Sequence, residues 1–302
     1  MSLPAVAAVA LAGVLDAVVE ELPSEIHPVA LFGRVVSLVD REWSGSVVGV
    51  VGIGVAVGLP LAAASLVWWV VAVAAAIGPL PGAAVAGLGL FATTSRRMLV
   101  RIAREVIDAT TDGEAEVPDT VLALVGRDTS ALSPGELRSA AVESAAENLA
   151  DGLVAPLGAF VVGAQASMAV GVAAAAWVKA VNTLDSMLGY PDKSVGTASA
   201  ILDDMVMWIP ARLSSVLIAV AGGSPSALLA ARQWARVPAS PNSGWPMATL
   251  AAVVDVRLAK RDAYTLNPGA EFPTTRAARR AVRIVSLAGV LAFLLAGVAV
   301  WP

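Results

Sequence analysis

The sequence predicts an all-α, polytopic integral membrane helical bundle with at least five hydrophobic passes and cytoplasmic helical segments between them. Three observations carry this expectation. Hydrophobic residues make up 57% of the 302 positions and charged residues only 15%, against about 45–50% and about 25% in soluble domains. A globule of this length has too small a core to hide the excess, so the second solvent is lipid. The charge-free stretches also have membrane length. Residues 43–95 form 53 consecutive positions without a charge, 152–178 form 27, and 213–231 and 284–302 form 19 each, where a spanning helix needs about 20.

The elements follow in chain order, all within one membrane-embedded domain covering 1–302. Residues 1–15 are apolar and the first basic residue is Arg34, so this start is expected to be a retained helix rather than a cleaved leader. Asp16 lies inside it. His27-Pro28-Val29 follows as a loop, where a lone His before Pro is ordinarily a turn residue. The stretch 43–95 must reverse, and Gly78-Pro79-Leu80-Pro81-Gly82 is the clearest place. Gly58-Leu59-Pro60 is either a second turn or only a kink. Gly45/Gly49 and Gly54/Gly58, four apart, allow close helix approach, although glycine is common in membrane helices anyway.

Three polar segments separate the apolar blocks. Segment 96–151 opens with a helix-like basic run (Arg96, Arg97, Arg101, Arg104), passes an acidic loop at 112–119, and ends in a second helix. Segment 179–212 is mixed. Segment 232–283 carries nine of the 20 basic residues against three acids. The positive-inside rule puts the first and third segments in the cytoplasm. Single crossings through 152–178 and 213–231 would then leave 179–212 outside. Its polar pattern argues instead for a hairpin at 152–178 or a re-entrant or discontinuous element between 152 and 231, with a shared cytoplasmic-facing cavity.

Composition narrows the chemistry. There is no cysteine and a single histidine, which excludes disulfides, thiolate zinc sites, iron–sulfur clusters and multi-histidine metal centres. Carboxylates, amides, hydroxyls, Lys and Arg remain, with Mg²⁺ the expected helper. A net charge of −4 names no partner. No Gly-x-x-x-x-Gly-Lys-[Ser/Thr] loop or Gly-x-Gly-x-x-Gly turn is present. Aromatics do not interleave with basic runs, so no nucleic-acid partner is expected.

Two carboxylate clusters stand out. Glu143, Glu147 and Asp151 are spaced by four, which on a helix stacks like charges that repel, and the run enters the apolar stretch at Gly152. This favours a metal or cationic site over a merely solvated face. Asp203-Asp204, in an otherwise apolar helix, is costly near lipid and points to function. Between them, Asn182, Asp185 and Ser186 share a helix face, with helix capping as the plainer account. Ser240-Pro241-Asn242-Ser243-Gly244 is a compact turn whose donors suit a phosphate. From the residues alone, this is a membrane enzyme with a carboxylate-rich, Mg²⁺-dependent phosphate site; a polytopic prenyltransferase or a transporter also fits.

A resemblance is carried by an ordered set of motifs. These are His27-Pro28-Val29, Gly126-Arg127-Asp128-Thr129, Glu143-Ser144 with Glu147-Asn148, Asp151-Gly152 and Ala155-Pro156, Asn182-Thr183-Leu184-Asp185-Ser186-Met187 with Gly189-Tyr190, Asp203-Asp204 with Ile209-Pro210-Ala211-Arg212, and Ser240-Pro241-Asn242 with Gly244. The set runs from about Asp16 to Pro268 and resembles the adenosylcobinamide-phosphate synthase (cobinamide synthase, CbiB/CobD-type) family of cobalamin biosynthesis. The resemblance implies a multi-pass protein of the cytoplasmic membrane with its site facing the cytoplasm. It would join a carboxylate of the corrinoid adenosylcobyric acid to aminopropanol or its phosphate, using ATP as co-substrate and Mg²⁺. Association with other membrane cobalamin-assembly enzymes is a further implication.

On that footing Glu143, Glu147, Asp151, Asp203 and Asp204 are candidate metal ligands, with Asp185 a further one. Arg127, Lys193 and Arg212 are candidates for phosphate or propionate contacts. Asn148, Asn182 and Asn242 would orient ligands, and His27 would serve as acid/base or donor. The pattern departs at Ile201, where the family carries a basic residue, and at Glu20-Glu21-Leu22-Pro23, which replaces Gly-Asp-Pro; the first puts one phosphate contact in doubt. A membrane prenyltransferase would need paired aspartate-rich motifs that are not closely matched. A regulatory relative would have lost the carboxylates that this chain keeps, and a transporter would show an internal repeat.

Overall fold

The structure is a computed structural model and describes residues 3–19, 22–43, 45, 47–111 and 132–302. In chain order its helices are α1 (Leu3–Val18), α2 (Pro28–Ser37), α3 (Val48–Ile77), α4 (Pro79–Thr93), α5 (Arg96–Ala109), α6 (Pro134–Leu149), α7 (Ala155–Ala164) and α8 (Met168–Leu188). They continue as α9 (Thr197–Val206), α10 (Trp208–Ala221), α11 (Ala227–Ala231), α12 (Gly244–Val254) and α13 (Thr275–Ala299), with strands β1 (Leu258–Lys260) and β2 (Tyr264–Leu266) before the last helix. The chain divides into two compact units, each discontinuous in sequence. The first is Met1–Ser95, Asp151–Met207 and Phe293–Pro302; the second is Arg96–Ala150 and Trp208–Ala292.

Three helical runs are long and apolar enough to cross a membrane: Val48–Ile77, Pro134–Ala164 and Thr275–Ala299. A fourth is added when Ser194–Val206 and Trp208–Ala221 count as one broken span, and Leu3–Val18, Pro28–Ser37 and Gly244–Val254 are shorter apolar helices. The protein is a multi-pass membrane helical bundle. Where charge-free length suggested at least five passes, the described residues supply three or four long spans and these shorter helices. The difference arises partly because 152–178 folds back on itself.

In the first unit the reversal expected in 43–95 falls at Gly78, where α3 ends and Pro79 opens α4. The two helices close tightly because a Cβ on Gly82 would stand only 2.9 Å from the Ala75 Cα. Pro60 lies inside α3, so Gly58-Leu59-Pro60 does not turn the chain. A proline within a membrane helix is tolerated when neighbours re-satisfy the freed backbone groups. α1 packs on α4, with the Leu11 side chain filling the space left by Gly87.

A second reversal lies within 152–178. α7 and α8 form a helical hairpin, broken at 165–167 and restarted by Ser167, whose Oγ accepts the Val170 N–H at 3.2 Å. A Cβ on Gly163 would lie 2.7 Å from Val170 O and 2.9 Å from the Gly171 Cα, so only glycine permits this approach. Asp151 precedes Gln165 by 14 residues and Val181 follows Ser167 by 14. The two arms are thus of equal length, about 21 Å at 1.5 Å per residue. The segment beginning at Lys179 therefore returns to the end of the hairpin that holds Asp151. α8 also packs on α3 and carries α2 and α9 on its polar end.

The second unit is built on α6, which α5, α12 and β1 pack against. α5 is amphipathic as its basic run suggests, burying Leu99, Val100, Ala103, Val106 and Ile107. α6 starts with a capping box: the Ser133 N–H donates to Glu136 Oε2 at 2.8 Å and the Glu136 N–H to Ser133 Oγ at 3.4 Å. Glu136 also accepts both arms of Arg261 at 2.6 and 2.8 Å, a bidentate pair that ties the β1–β2 turn to the start of α6.

Substituting Gly163 with Leu is expected to destabilise the protein by about 2 kcal/mol through overpacking of a backbone contact. Thermal unfolding in detergent, followed by far-UV circular dichroism, measures this. An unchanged midpoint would refute the close approach of the two arms.

Candidate functional site

The polar residues of the second unit converge on a cavity of about 280 Å³. One wall is a face of α6, formed by Glu143, Ser144, Glu147 and Asn148; the others come from Ser240, Ser243 and the strand residues Lys260 and Tyr264. Four-residue spacing on α6 puts Glu143 and Glu147 on this face, as their positions in the sequence predict. Lys260 pairs directly with Tyr264 across the two strands, so their side chains share one side of the hairpin.

Glu143 is buried, and both carboxylate oxygens have donors. Ser139 Oγ donates to Oε1 at 2.7 Å and the Tyr264 hydroxyl donates to Oε2 at 2.6 Å. Ser139 Oγ in turn accepts the Ala259 N–H at 2.9 Å. A buried carboxylate needs such donors, because each replaces hydration that burial removes. The hairpin thus fixes the orientation of Glu143. Asn148 is steadied from its own helix, its Nδ2 donating to Ser144 O at 3.0 Å and to Ser144 Oγ at 3.3 Å.

The predicted turn at 240–244 forms the opposite rim. Ser240 Oγ accepts the backbone N–H groups of Asn242 and Ser243 at 3.2 and 3.4 Å. Arg212 clamps this turn from α10: Nη1 donates to Asn242 Oδ1 at 2.6 Å and to Trp208 O at 2.9 Å, and Nη2 to Pro241 O at 3.3 Å. Its guanidinium also stacks on the rings of Trp208 and Trp245, at 4.5 and 5.1 Å from their centroids. Arg212 and Asn242, both expected at phosphate, are thus brought together, with the arginine fork directed at protein acceptors.

The first unit holds the remaining candidates. Asp185 on α8 and Asp204 on α9 are close enough that Asp204 raises the Asp185 carboxyl above the ordinary carboxylate range, although burial is the larger cause. Asp203 and Asn182 are buried on the same two helices. The link between the helices is tight: a Cβ on Gly189 would overlap Asp185 Oδ1, and one on Gly196 would overlap the Leu188 carbonyl. Lys193 in this link donates to Asp40 and to Met187 O, at 2.9 and 3.0 Å, which anchors the connection to the end of α2. His27 caps α2, its Nδ1 accepting the Val29 N–H at 3.1 Å. In the neutral ring the proton then sits on Nε2. Arg127 lies outside the described residues.

Asp151 sits in a π-helical turn, Ala150–Val154, so the α-helical stacking expected for Glu143, Glu147 and Asp151 does not continue through it. Among the described residues no three acidic or histidine side chains gather around one point. This donor set suits Mg²⁺ brought by a phosphate substrate, since that ion commonly takes one or two carboxylates and completes its shell with water and phosphate oxygens. The Glu143–Glu147 face and the Asp185–Asp204 pair each offer that number.

Sequence reasoning missed Tyr264, Lys260 and Ser139. The bonds between α6 and the strand pair that bring them together span 120 residues or more, from Ser139 to Ala259 and from Glu143 to Tyr264. The only local signal was two short strand-like triplets around the Arg261-Asp262 turn, where Asp262 adopts φ of 56°.

Fold and site together define a multi-pass membrane protein with a carboxylate-lined polar cavity. The family model described as CobD/Cbib protein matches residues 9–293, and the chain belongs to that family. The probable cobalamin biosynthesis protein CobD of Methanothrix thermoacetophila is 34% identical over 297 residues, covering 94% of this chain and 93% of its own. Cobalamin biosynthesis protein CobD of Geobacter metallireducens is 36% identical over 261 residues, 81% of this chain and 78% of its own. Cobalamin biosynthesis protein CbiB of Salmonella typhi is 34% identical over 280 residues, 84% and 82% respectively. No solved structure matches.

Two outcomes follow. Tyr264→Phe leaves a buried carboxylate one donor short and is expected to lower stability by about 2 kcal/mol, measured by thermal unfolding; an unaltered midpoint would deny Tyr264 its role. For Asp185 the folded carboxyl value is raised, so its contribution is full below the unfolded range and is lost as pH rises through the folded value. Asp185→Asn is therefore expected to raise the midpoint at pH 7.5 without divalent cations, the gain shrinking as pH falls through the folded value and gone below about pH 4. A lower midpoint at pH 7.5 would contradict this.

Proposed function

We propose that this protein acts in cobalamin biosynthesis as the membrane ligase that joins adenosylcobyric acid to (R)-1-amino-2-propanol or its O-phosphate, giving adenosylcobinamide or its phosphate. The supporting observation is the cavity on α6, where Glu143 and Glu147 face Lys260 and three serine hydroxyls, in a chain whose relatives are named cobalamin biosynthesis proteins. Opposite charges in one small cavity suit a substrate bearing an ammonium and a phosphate.

The chemistry runs in two balanced steps. A propionate oxygen of the corrinoid attacks the γ-phosphorus of ATP, and ADP leaves with the electron pair of the broken P–O bond. The amine nitrogen then attacks the acyl carbon, inorganic phosphate leaves, and the nitrogen gives up its proton. Glu147, which lines the same cavity, takes the proton that frees the amine lone pair. Lys260, Ser240 and Ser243 hold phosphate oxygens, and Arg212 keeps their turn in shape. In the first unit Asp185 and Asp204 would hold Mg²⁺, with Asp203 and Asp151 as further candidates, and the ion would supply neutralisation of phosphate charge. Asn182 orients this group, and the Nε2–H of His27 serves as a donor. The lysines and arginines of 96–151 and 232–283 support a site that faces the cytoplasm, in the cytoplasmic membrane.

Detergent-purified protein given adenosylcobyric acid, aminopropanol phosphate, ATP and Mg²⁺ is expected to form a corrinoid with one carboxylate fewer, read by mass spectrometry. Glu147→Gln and Lys260→Ala are each expected to lower kcat/KM by about a hundredfold. Failure of the unaltered protein to give Mg²⁺-dependent product at saturating substrates would refute the reaction. Full activity of both variants would refute the site.

A further inference from the structure

We propose that the start of α13 binds an anionic phospholipid, the headgroup phosphate held by Arg276, Arg280 and Arg283 and an acyl chain laid along the apolar residues that follow. These three arginines line one cavity of about 310 Å³ together with Ile284 and Leu287. Positions 276, 280, 283, 287 and 290 alternate steps of four and three, which on a helix gives a single stripe. The stripe changes character once. Its arginine part spans about 10 Å of rise, then Leu287 and Val290 continue it at 48% and 40% exposure, within a stretch from 284 onward that carries no charge.

The arginine run is divided between two tasks. Arg279, off the stripe, holds Asp108 through Nη2 at 2.7 Å and Nε at 3.2 Å. Arg283 Nε donates to Arg279 O at 3.3 Å, which steadies its fork. Among the described residues Arg276, Arg280 and Arg283 have no carboxylate partner. Three guanidinium groups around one cavity match the several acceptor oxygens of a phosphate. Inorganic phosphate would satisfy the arginines and leave Ile284 and Leu287 unused, whereas a phospholipid presents anion and hydrocarbon in the same order as the stripe. α13 is also a candidate membrane span, so the arginines lie where headgroups lie.

The test is native mass spectrometry of the full chain in detergent, titrated with palmitoyl-oleoyl phosphatidylglycerol or with phosphatidylcholine of the same chains. Phosphatidylglycerol is expected to bind at least tenfold more tightly. Replacing Arg276, Arg280 and Arg283 together with Gln is expected to weaken it by about a hundredfold, at roughly fivefold for each arginine near a lipid surface. A control with Arg104, Arg232 and Arg236 changed to Gln removes equal charge and is expected to bind as the unaltered protein does. Equal affinity for the two lipids in the unaltered protein would overturn the proposal, even if a variant fails to fold. Equal losses in the two triple variants would also overturn it, by reducing the effect to net charge. So would complete displacement of the lipid by millimolar inorganic phosphate, which would leave the anion as the whole ligand.

Discussion

The approach of Gly163 to Gly171 is the contact on which the placement of the polar segments of the first unit depends. Lipid gives helices no hydrophobic reason to associate, so contact rests on van der Waals packing, and small residues allow the closest packing. A single straight helix over 152–178 would part its ends by about 40 Å and put them on opposite faces of a bilayer. The hairpin brings Asp151 and the polar end of α8 to one level instead. Everything that follows in α9, including Asp203 and Asp204, inherits that placement.

The two units manage negative charge differently. On α6 the carboxylate of Glu143 is surrounded by hydroxyl donors whose own positions are fixed by the strand pair. Asp185 instead carries the cost of burial and, second to it, the nearby charge of Asp204, and both raise its carboxyl. Such a pair favours a cation between its members, and the closely packed link at Gly189 and Gly196 keeps the two helices from moving apart.

What could be read from the sequence follows from how local each cause is. The reversal at Gly78 was legible because Pro79 and its glycines act on their own backbone. Pro60 was ambiguous, since a membrane helix accepts a proline that would end a soluble one. The break at 165–167 contains neither Gly nor Pro, so a hairpin in 152–178 could be named as one alternative but its tip could not be located. Glu143 and Glu147 were legible from their spacing, as were Asp203 and Asp204 from their apolar setting. Arg212 and Lys193 were phosphate candidates through the family resemblance, yet their partners Asn242 and Asp40 are 30 and 153 positions away. No local pattern could distinguish those partners from a phosphate.

The bond between Tyr264 and Glu143 also bears on the order in which the molecule is made. Its two ends are 121 residues apart. At translation rates of about 5–20 residues per second, α6 leaves the ribosome roughly 6–24 s before the strand that completes its cavity. During that interval α7 and α8 are already available to pair, because their contacts are local. The hairpin can therefore form first, while Glu143 still lacks the Tyr264 donor. Closure of the cavity is then a late event, and an arrested chain ending before the strands would hold the membrane hairpin without the site.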